Sequence, residues 1–406
     1  MNSTAQSSQT ASAVSIFKSR PRVFFVTSNP PLDETGGCML FYRQFVERDD
    51  YDLFVVTDRS DFSSDRFPYL IFEHPKIIRR LMKTRLALFA HDYVHVLGGA
   101  RIPTSILEAA RHFKPDVIMT GAETWMADLA ANLAMQLKIP LVGHFMDWPT
   151  FAMMGHSWVK RHASDKFRRR YQRCDLAFGI CPEMLETLGA HRNAHVFYPS
   201  GQAGESKTPK SRRTHGNSFT VLFAGNLGQW YGRMLECLVP HFRRENDVQL
   251  RIAGGNALWG DEVEKSLRQE GTYLGFLKGA EYKSAFDNSD ALLLIMGFGA
   301  ESRLIESTSF KSKLADYLTS GLPLVVWGPD YCTAVRHASR ENFAEVVTTD
   351  DPGEVVAAVK ALARNPSRSA ELVKNGFLFW EKNLNANRVM PQALHAINTV
   401  RKDTKL

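Results

Sequence analysis

From residue 22 onward, short apolar runs alternate with stretches of helical length. RVFFV, DLFVV, YLIF, DVIM, PLVGHF and DLAFGI each precede a segment suited to a helix. Apolar runs of strand length separated by helices argue a parallel, doubly wound sheet. The rhythm breaks at SGQAGESKTPKSRRTHGNS (200–218), which is polar, contains Gly, Ser and Pro, and lacks periodicity, as an interdomain linker should. It then starts again with SFTVLFAG, VQLRIAGG, TYLGFL, ALLLIM, LPLVVWG and AEVVTT. The pattern predicts an α/β chain with two Rossmann-like domains facing one another, residues 21–200 and 219–376, joined by a linker at 201–218. Residues 377–406 read as helical with no strand to follow, and are expected to pack back toward the first domain. Residues 1–20 are rich in Ser, Thr and Ala and lack the uninterrupted apolar segment of a secretory signal, so a disordered cytoplasmic tail is expected there.

Composition narrows the class. At 406 residues the chain is long for one core, 44% hydrophobic and 23% charged residues suit a globular protein, and no apolar run approaches the roughly 18 residues of a membrane span. Five scattered cysteines without a C-x-x-C pair indicate neither a disulfide framework nor a zinc site. A formal charge of +7 makes an anionic partner plausible: nucleic acid, an anionic membrane surface or a phosphorylated substrate.

In open α/β sheets ligands lie beyond the carboxyl ends of the strands, where glycine turns admit close backbone approach. Two such turns, Gly225-Asn226-Leu227-Gly228 and Gly254-Gly255-Asn256, follow apolar runs in the second domain. A third candidate is SFKSKLADYLTSGLPLVVWGP (309–329). Leu314 and Leu318 predict the inner face of a short helix ending at Gly321, with Ser309, Ser312, Lys313, Asp316 and Ser320 on the other side. Lys311 and Lys313 would put positive charge where the helix dipole is already positive, an arrangement an anion relieves. A diphosphate between the lysines, with Asp316 accepting from ribose hydroxyls, is one reading; a solvated helix face is the other.

FKSKLADYLTSGLPLVV resembles the donor-site segment of retaining glycosyltransferases of the GT-B fold, group 1 or family 4 type, with its form F-P-x-K-L-x-E-Y-L-A-x-G-x-P-V-V. VLFAGNLG and TYLGFLKGAEYKSAFDNSDALLL resemble further parts of the same donor domain, so the likeness covers nearly all of 218–329. It implies donor contacts at Gly225, Asn226, Phe276, Leu277, Ser309, Phe310, Lys311, Ser312, Lys313 and Asp316. In the first domain, Asn29-Pro30-Pro31 through Gly36-Gly37 is similar to the loop approaching the donor phosphates, and LVGHFMDWP to the strand whose histidine, here His144, faces the transferred sugar. Two departures stand out. The glutamate that many members carry eight residues before the acid at Asp316 falls on Thr308, with Glu306 nearby. The R-x4-K basics fall on Asn226 and Tyr231, leaving Arg233, Lys311 and Lys313 to stabilise the leaving group.

The resemblance implies hexosyltransferase-like transfer from a nucleotide-sugar donor to a glycan or lipid-linked acceptor, with retention of configuration, in surface-polysaccharide or glycolipid assembly. No cofactor or metal is expected, because the one D-x-D triplet, Asp50-Tyr51-Asp52, reads as a surface turn in the first domain. PKIIRRLMKTRLALF (75–89) mixes apolar and basic residues as an interfacial helix does, and KRHASDKFRRRYQR (160–173) has seven Lys or Arg against one Asp; peripheral docking on the cytoplasmic face of an anionic membrane is one reading, and solvated helix faces are the other. A nucleotide-sugar epimerase of the same fold and a GT-B binding protein with a degenerate site are the rival readings. Nucleic-acid binding is disfavoured, since the basic clusters lack interleaved aromatics.

Overall fold

The computed structural model describes residues 20–34, 36–150, 153–201 and 218–403. Apart from Arg20, Gly201 and Ser218, the expected tail and linker lie outside the described residues.

Each apolar run named above becomes a strand. The first series gives β1 (Arg22–Val26), β2 (Asp52–Thr57), β3 (Tyr69–Ile71), β4 (Val117–Gly121), β5 (Leu141–Phe145) and β6 (Leu176–Gly179), to which the structure adds the short β7 (Ala194–Val196). The second gives β8 (Phe219–Ala224), β9 (Val248–Ala253), β10 (Tyr273–Gly275), β11 (Ala291–Ile295), β12 (Leu324–Trp327) and β13 (Glu345–Val347). Seven strands order as β3-β2-β1-β4-β5-β6-β7 and six as β10-β9-β8-β11-β12-β13. β1 pairs in parallel with β2 and β4, and β8 with β9 and β11, so in each sheet the order reverses beside the first strand. That switch point opens a crevice at the carboxyl ends.

The strands run apolar because helices cover both faces: β1 is buried beyond Arg22, and β4, β5, β8 and β11 are buried throughout. Phe24, Phe25, Phe41 and Phe45 fill one core, with Phe25 edge-on to Phe41 at 4.8 Å. Val221, Phe223, Leu250, Leu293 and Val325 centre the other.

The chain divides into two compact units, one of Met1–His144, Met154–Ala177 and Gln392–Leu406, the other of Phe145–Met153 and Phe178–Pro391. The last helix, Ala386–Asp403, carries Pro391 at this division, and Arg401 near its end lies 3.5 Å from Asp116 within the first unit. Among the described residues no helix is long and apolar enough to cross a membrane.

Candidate functional site

The second unit concentrates its polar chemistry at the carboxyl ends of β8, β9 and β11. Its glycine turns interlock: a Cβ on Gly254 would lie 1.8 Å from the Gly225 carbonyl oxygen, so the turns after β8 and β9 meet backbone to backbone. The Asn226 side-chain oxygen accepts from the Gly228 N–H at 3.1 Å and the Asn256 amide at 3.2 Å, fastening one turn to the other. Asn226 is thus a brace for the glycine turns, exposed on one side.

After the first turn the helix Trp230–Arg243 opens with two aromatic residues that converge on Glu306. One carboxylate oxygen of Glu306 accepts from the Trp230 indole, the Tyr231 hydroxyl and the Gly297 N–H, each at 3.1 Å. The other faces the Lys311 ammonium at 2.8 Å. Lys311 also donates to the Tyr231 hydroxyl at 2.9 Å, so Tyr231 accepts from the lysine while donating to the carboxylate. Glu306 is fully buried and its side chain is occupied. It is the fixed counter-ion of Lys311. Burial works against the Lys311 charge, yet Glu306 and Tyr231 outweigh it and hold the lysine above its ordinary value.

Lys313 is placed differently. Its ammonium lies against the Cα of Gly225, where a Cβ would come within 1.8 Å of Nζ. It sits 4.5 Å from the Phe223 ring centroid and 6.0 Å from that of Tyr231. Among the described residues it makes no hydrogen bond or ion pair. Burial and the neighbouring Lys311 charge pull it down to about 7, against the opposing pull of Glu306. A cation in this state gains from an arriving anion.

The helix expected to carry these residues is shorter than predicted. It spans only Leu314–Tyr317, and Leu314, Ala315 and Leu318 face inward as expected, while Gly321 follows with φ 77°. It is pinned under β8 by Tyr317, whose hydroxyl accepts from the Ala224 N–H at 3.2 Å and donates to its carbonyl at 2.8 Å. Ser309 and Ser320 are not on an outer face. Ser309 is extended and buried, donating to Asp147 at 2.6 Å, while its carbonyl accepts from Thr333. Ser320 folds back onto the Tyr317 carbonyl at 2.6 Å. Phe310 is a core residue, packed against Tyr198, His337 and Phe379, which removes it from ligand contact. Ser312 is exposed, and Asp316, three residues after Lys313, is half-buried.

Phe276 and Leu277 follow β10. Phe276 is 53% exposed next to Gly255, where an added Cβ would sit 3.5 Å from its ring, and Lys278 lies 5.3 Å above that ring. Arg233 is exposed one turn into its helix and makes none of the contacts above. A large cavity, about 1020 Å³, lies at the opposite, amino end of these strands, lined by Thr220, Arg251, Asp290 and Pro323 among others. Two of its charged groups pair within the domain: Asp290 accepts from the Thr220 N–H at 2.8 Å and Arg251 donates to the Gly271 carbonyl at 2.5 Å. The topology places ligand chemistry at the other end.

In the first unit, Gly36 (φ 65°) and Gly37 open the helix Gly37–Phe45, with free space over the Gly36 Cα. His144 is the penultimate residue of β5, fully buried and edge-on to Phe41 at 5.4 Å. Burial drives it down to about 3, so it is neutral at ordinary pH. Neighbouring strand ends carry a constellation that sequence reasoning missed: Asp58 accepts from the Trp125 indole at 2.9 Å, the His74 ring lies 5.1 Å from that of Trp125, and Ser28 donates to Thr124 at 3.0 Å. Lone residues after four different strands leave no linear motif to find. The D-x-D triplet sits at the amino end of β2, with Tyr51 buried and Asp50 paired to Arg48 at 3.0 Å. Among the described residues no group of three or more His, Cys, Asp or Glu is arranged to hold a metal ion.

No protein-family model matches the chain, and no curated protein matches it in sequence. Solved structures do. The Anabaena protein HepE in complex with UDP-glucose aligns at 15% identity over 93% of this chain and 100% of its own, with a TM-score of 0.63. Sucrose-phosphate synthase of Thermosynechococcus elongatus aligns at 12% identity over 95% and 100%, TM-score 0.62. The lipopolysaccharide outer core galactosyltransferase WaaB, in its apo form, aligns at 13% identity over 95% and 100%, TM-score 0.58. These likenesses establish the fold: two parallel-sheet α/β domains of the GT-B glycosyltransferase architecture.

Proposed function

We propose that the chain is a glycosyltransferase that moves a sugar from a nucleotide-sugar donor to a lipid-linked or surface glycan, with retention of configuration and without a metal or cofactor, at the inner face of a membrane. One observation carries the reading: Lys313 lies against Gly225 at the carboxyl end of β8, without an ion pair among the described residues, while its neighbour Lys311 is neutralised by Glu306. The carboxyl end of the first strand at a topological switch point is where a diphosphate fits. Two turns of bare backbone let it approach.

In this reading Lys313 holds the diphosphate, Asp316 accepts from the ribose hydroxyls, and the exposed Phe276 ring beside Gly255 offers the base a stacking face. The bond between the sugar's anomeric carbon and the diphosphate oxygen breaks, the diphosphate keeping the electron pair. The acceptor oxygen forms the new bond and its proton passes to the departing diphosphate. Lys313 meets the negative charge as it develops, the role otherwise open to a metal. The UDP-glucose bound to HepE supports the donor class, and the name of WaaB, a lipopolysaccharide outer core galactosyltransferase, supports the acceptor class.

A second reading, a donor-binding protein without turnover, is favoured by the non-basic Asn226 and Tyr231 and by Arg233 lying outside the cluster. A thermal-shift screen across UDP-, GDP-, ADP- and CMP-sugars tests binding without needing an acceptor. Stabilisation by one class, lost in Lys313→Ala, is expected; no shift with any sugar nucleotide overturns both readings. Release of free nucleoside diphosphate on adding acceptor separates transfer from mere binding, and from epimerisation.

A further inference from the structure

The expected basic, interfacial helix over 75–89 does not exist as one element. The helix Lys76–Leu81 ends early, turns follow, and a second helix, Ala87–Leu97, begins after Leu86. Ile78 is buried. Of the basic run 160–173, Lys166 and Arg170 turn inward to Asp128, at 2.9 and 2.8 Å, while Arg161, Arg168, Arg169 and Arg173 are exposed.

In their place the structure exposes an apolar surface. On the helix Ala87–Leu97, Phe89, Tyr93 and Leu97 recur every four residues and form one stripe, while Ala90 and Val94 bury the other. Ile77 and Leu86 precede that stripe, and Met154 and Trp158 flank it from the start of the helix Ser157–Arg173. These seven side chains are between 44% and 65% exposed. They are seven of the thirteen exposed large hydrophobics among the described residues, a concentration that scattered surface residues do not produce.

The surface is rigidly held. The buried Asp92 carboxylate accepts from the His156 N–H at 3.0 Å and pairs with its imidazole, and the Phe89 ring lies 5.2 Å from that imidazole. His156 is two residues from both Met154 and Trp158, so this contact brings them to the stripe. Lys166 secures the other end by donating to the His95 and Val96 carbonyls at 3.2 and 2.8 Å.

We propose that this surface, Ile77, Leu86, Phe89, Tyr93, Leu97, Met154 and Trp158 with the cations beside it, docks the protein on an anionic lipid bilayer. Lys76, Arg79, Arg80, Lys83 and Arg85 are all exposed, and between residues 73 and 91 the only acid is Glu73, which pairs with Arg79 at 3.2 Å. The next acid, Asp92, is the buried one. Cations attract anionic headgroups, while rings and aliphatic chains enter the acyl boundary. Tyr93 and Trp158 suit that boundary, having an apolar body and a polar edge. A second copy is disfavoured, since a two-fold contact would oppose like-charged patches. Nucleic acid is disfavoured because Ile77, Leu86, Leu97 and Met154 need an apolar phase that a phosphodiester surface does not offer.

The proposal extends the reading of a lipid-linked acceptor, yet is tested apart from it. The full chain is floated with vesicles of phosphatidylcholine alone or with about 30% phosphatidylglycerol, at low and high salt, beside the double variants Phe89→Ser/Trp158→Ser and Arg80→Glu/Lys83→Glu. Wild type is expected to float with anionic vesicles only. The ring variant is expected to lose binding on the order of tenfold or more at either salt, and the charge variant to lose it chiefly at low salt. Sugar-nucleotide thermal shifts on the same samples report folding and the donor site, so vesicle binding without a nucleotide shift sinks the transferase reading and leaves this one standing. Flotation unaffected by the ring variant, or no flotation together with a dimer that the ring variant dissolves, overturns the proposal.

Discussion

At the carboxyl ends of β8 and β11, a buried carboxylate gathers an indole, a phenol and a backbone N–H, and neutralises one lysine while a second stands without a partner among the described residues. At the carboxyl end of β5 in the other unit, His144 is sealed against Phe41 and driven toward its neutral form. Both places follow a β-strand of the same α/β layout. The first keeps the Lys311 charge against its burial through Glu306 and Tyr231, the second loses its charge to burial, and only the first creates a standing demand for a counter-ion. A residue type at a strand end therefore says less than the company its neighbours keep.

Breaking the charged end should cost most. Glu306→Ala strands Lys311 beside an unpaired Tyr231 and indole, and is expected to lower stability by about 3 kcal/mol in urea unfolding. A loss below about 1 kcal/mol would mean that Lys311 finds water instead. Lys313→Ala should leave stability nearly unchanged but weaken binding of the preferred nucleoside diphosphate by roughly 10- to 100-fold in calorimetry. Asp316→Asn should weaken the nucleoside more than inorganic pyrophosphate, a difference that sharpens the split between phosphate and ribose roles.

The comparison also has a pH form. A bound diphosphate favours protonated Lys313, so with its value near 7 the affinity should fall as pH rises from about 7 to about 9, by at most about tenfold per unit, with net proton uptake on binding. Lys313→Arg, always charged, should flatten that slope. The smallest effect belongs to His144. Its folded value of about 3 lies below the ordinary 6.5, so the folded state binds fewer protons between those limits and stability falls as pH drops from 6.5 toward 3. His144→Leu should reduce that dependence in acid unfolding curves while nucleotide affinity holds; a large loss of affinity would show the ring reaching the ligand after all.

Strand positions were readable because the central strands are buried on both faces, leaving apolar runs that periodicity marks at once. The glycine turns and Lys313 were equally legible, since bare backbone and a lysine pair are local features. Phe310 and Ser309 were misread for the converse reason: the motif fixes residue types, while their inward direction depends on Tyr198, Phe379, Asp147 and Thr333, far along the chain. The same holds for the hub at Glu306, whose partners Trp230 and Tyr231 lie more than seventy residues away.

Local pattern thus determined the α/β layout, the break between two series of strands and the turns where backbone lies bare. Tertiary structure alone decided which of two neighbouring lysines is tied to a carboxylate and which remains available. It also decided which apolar residues of a basic segment face water. Hydrophobic periodicity reports how each stretch meets a core, but charge pairing and exposure are set by what other stretches bring to the same point, and no window along the chain contains both.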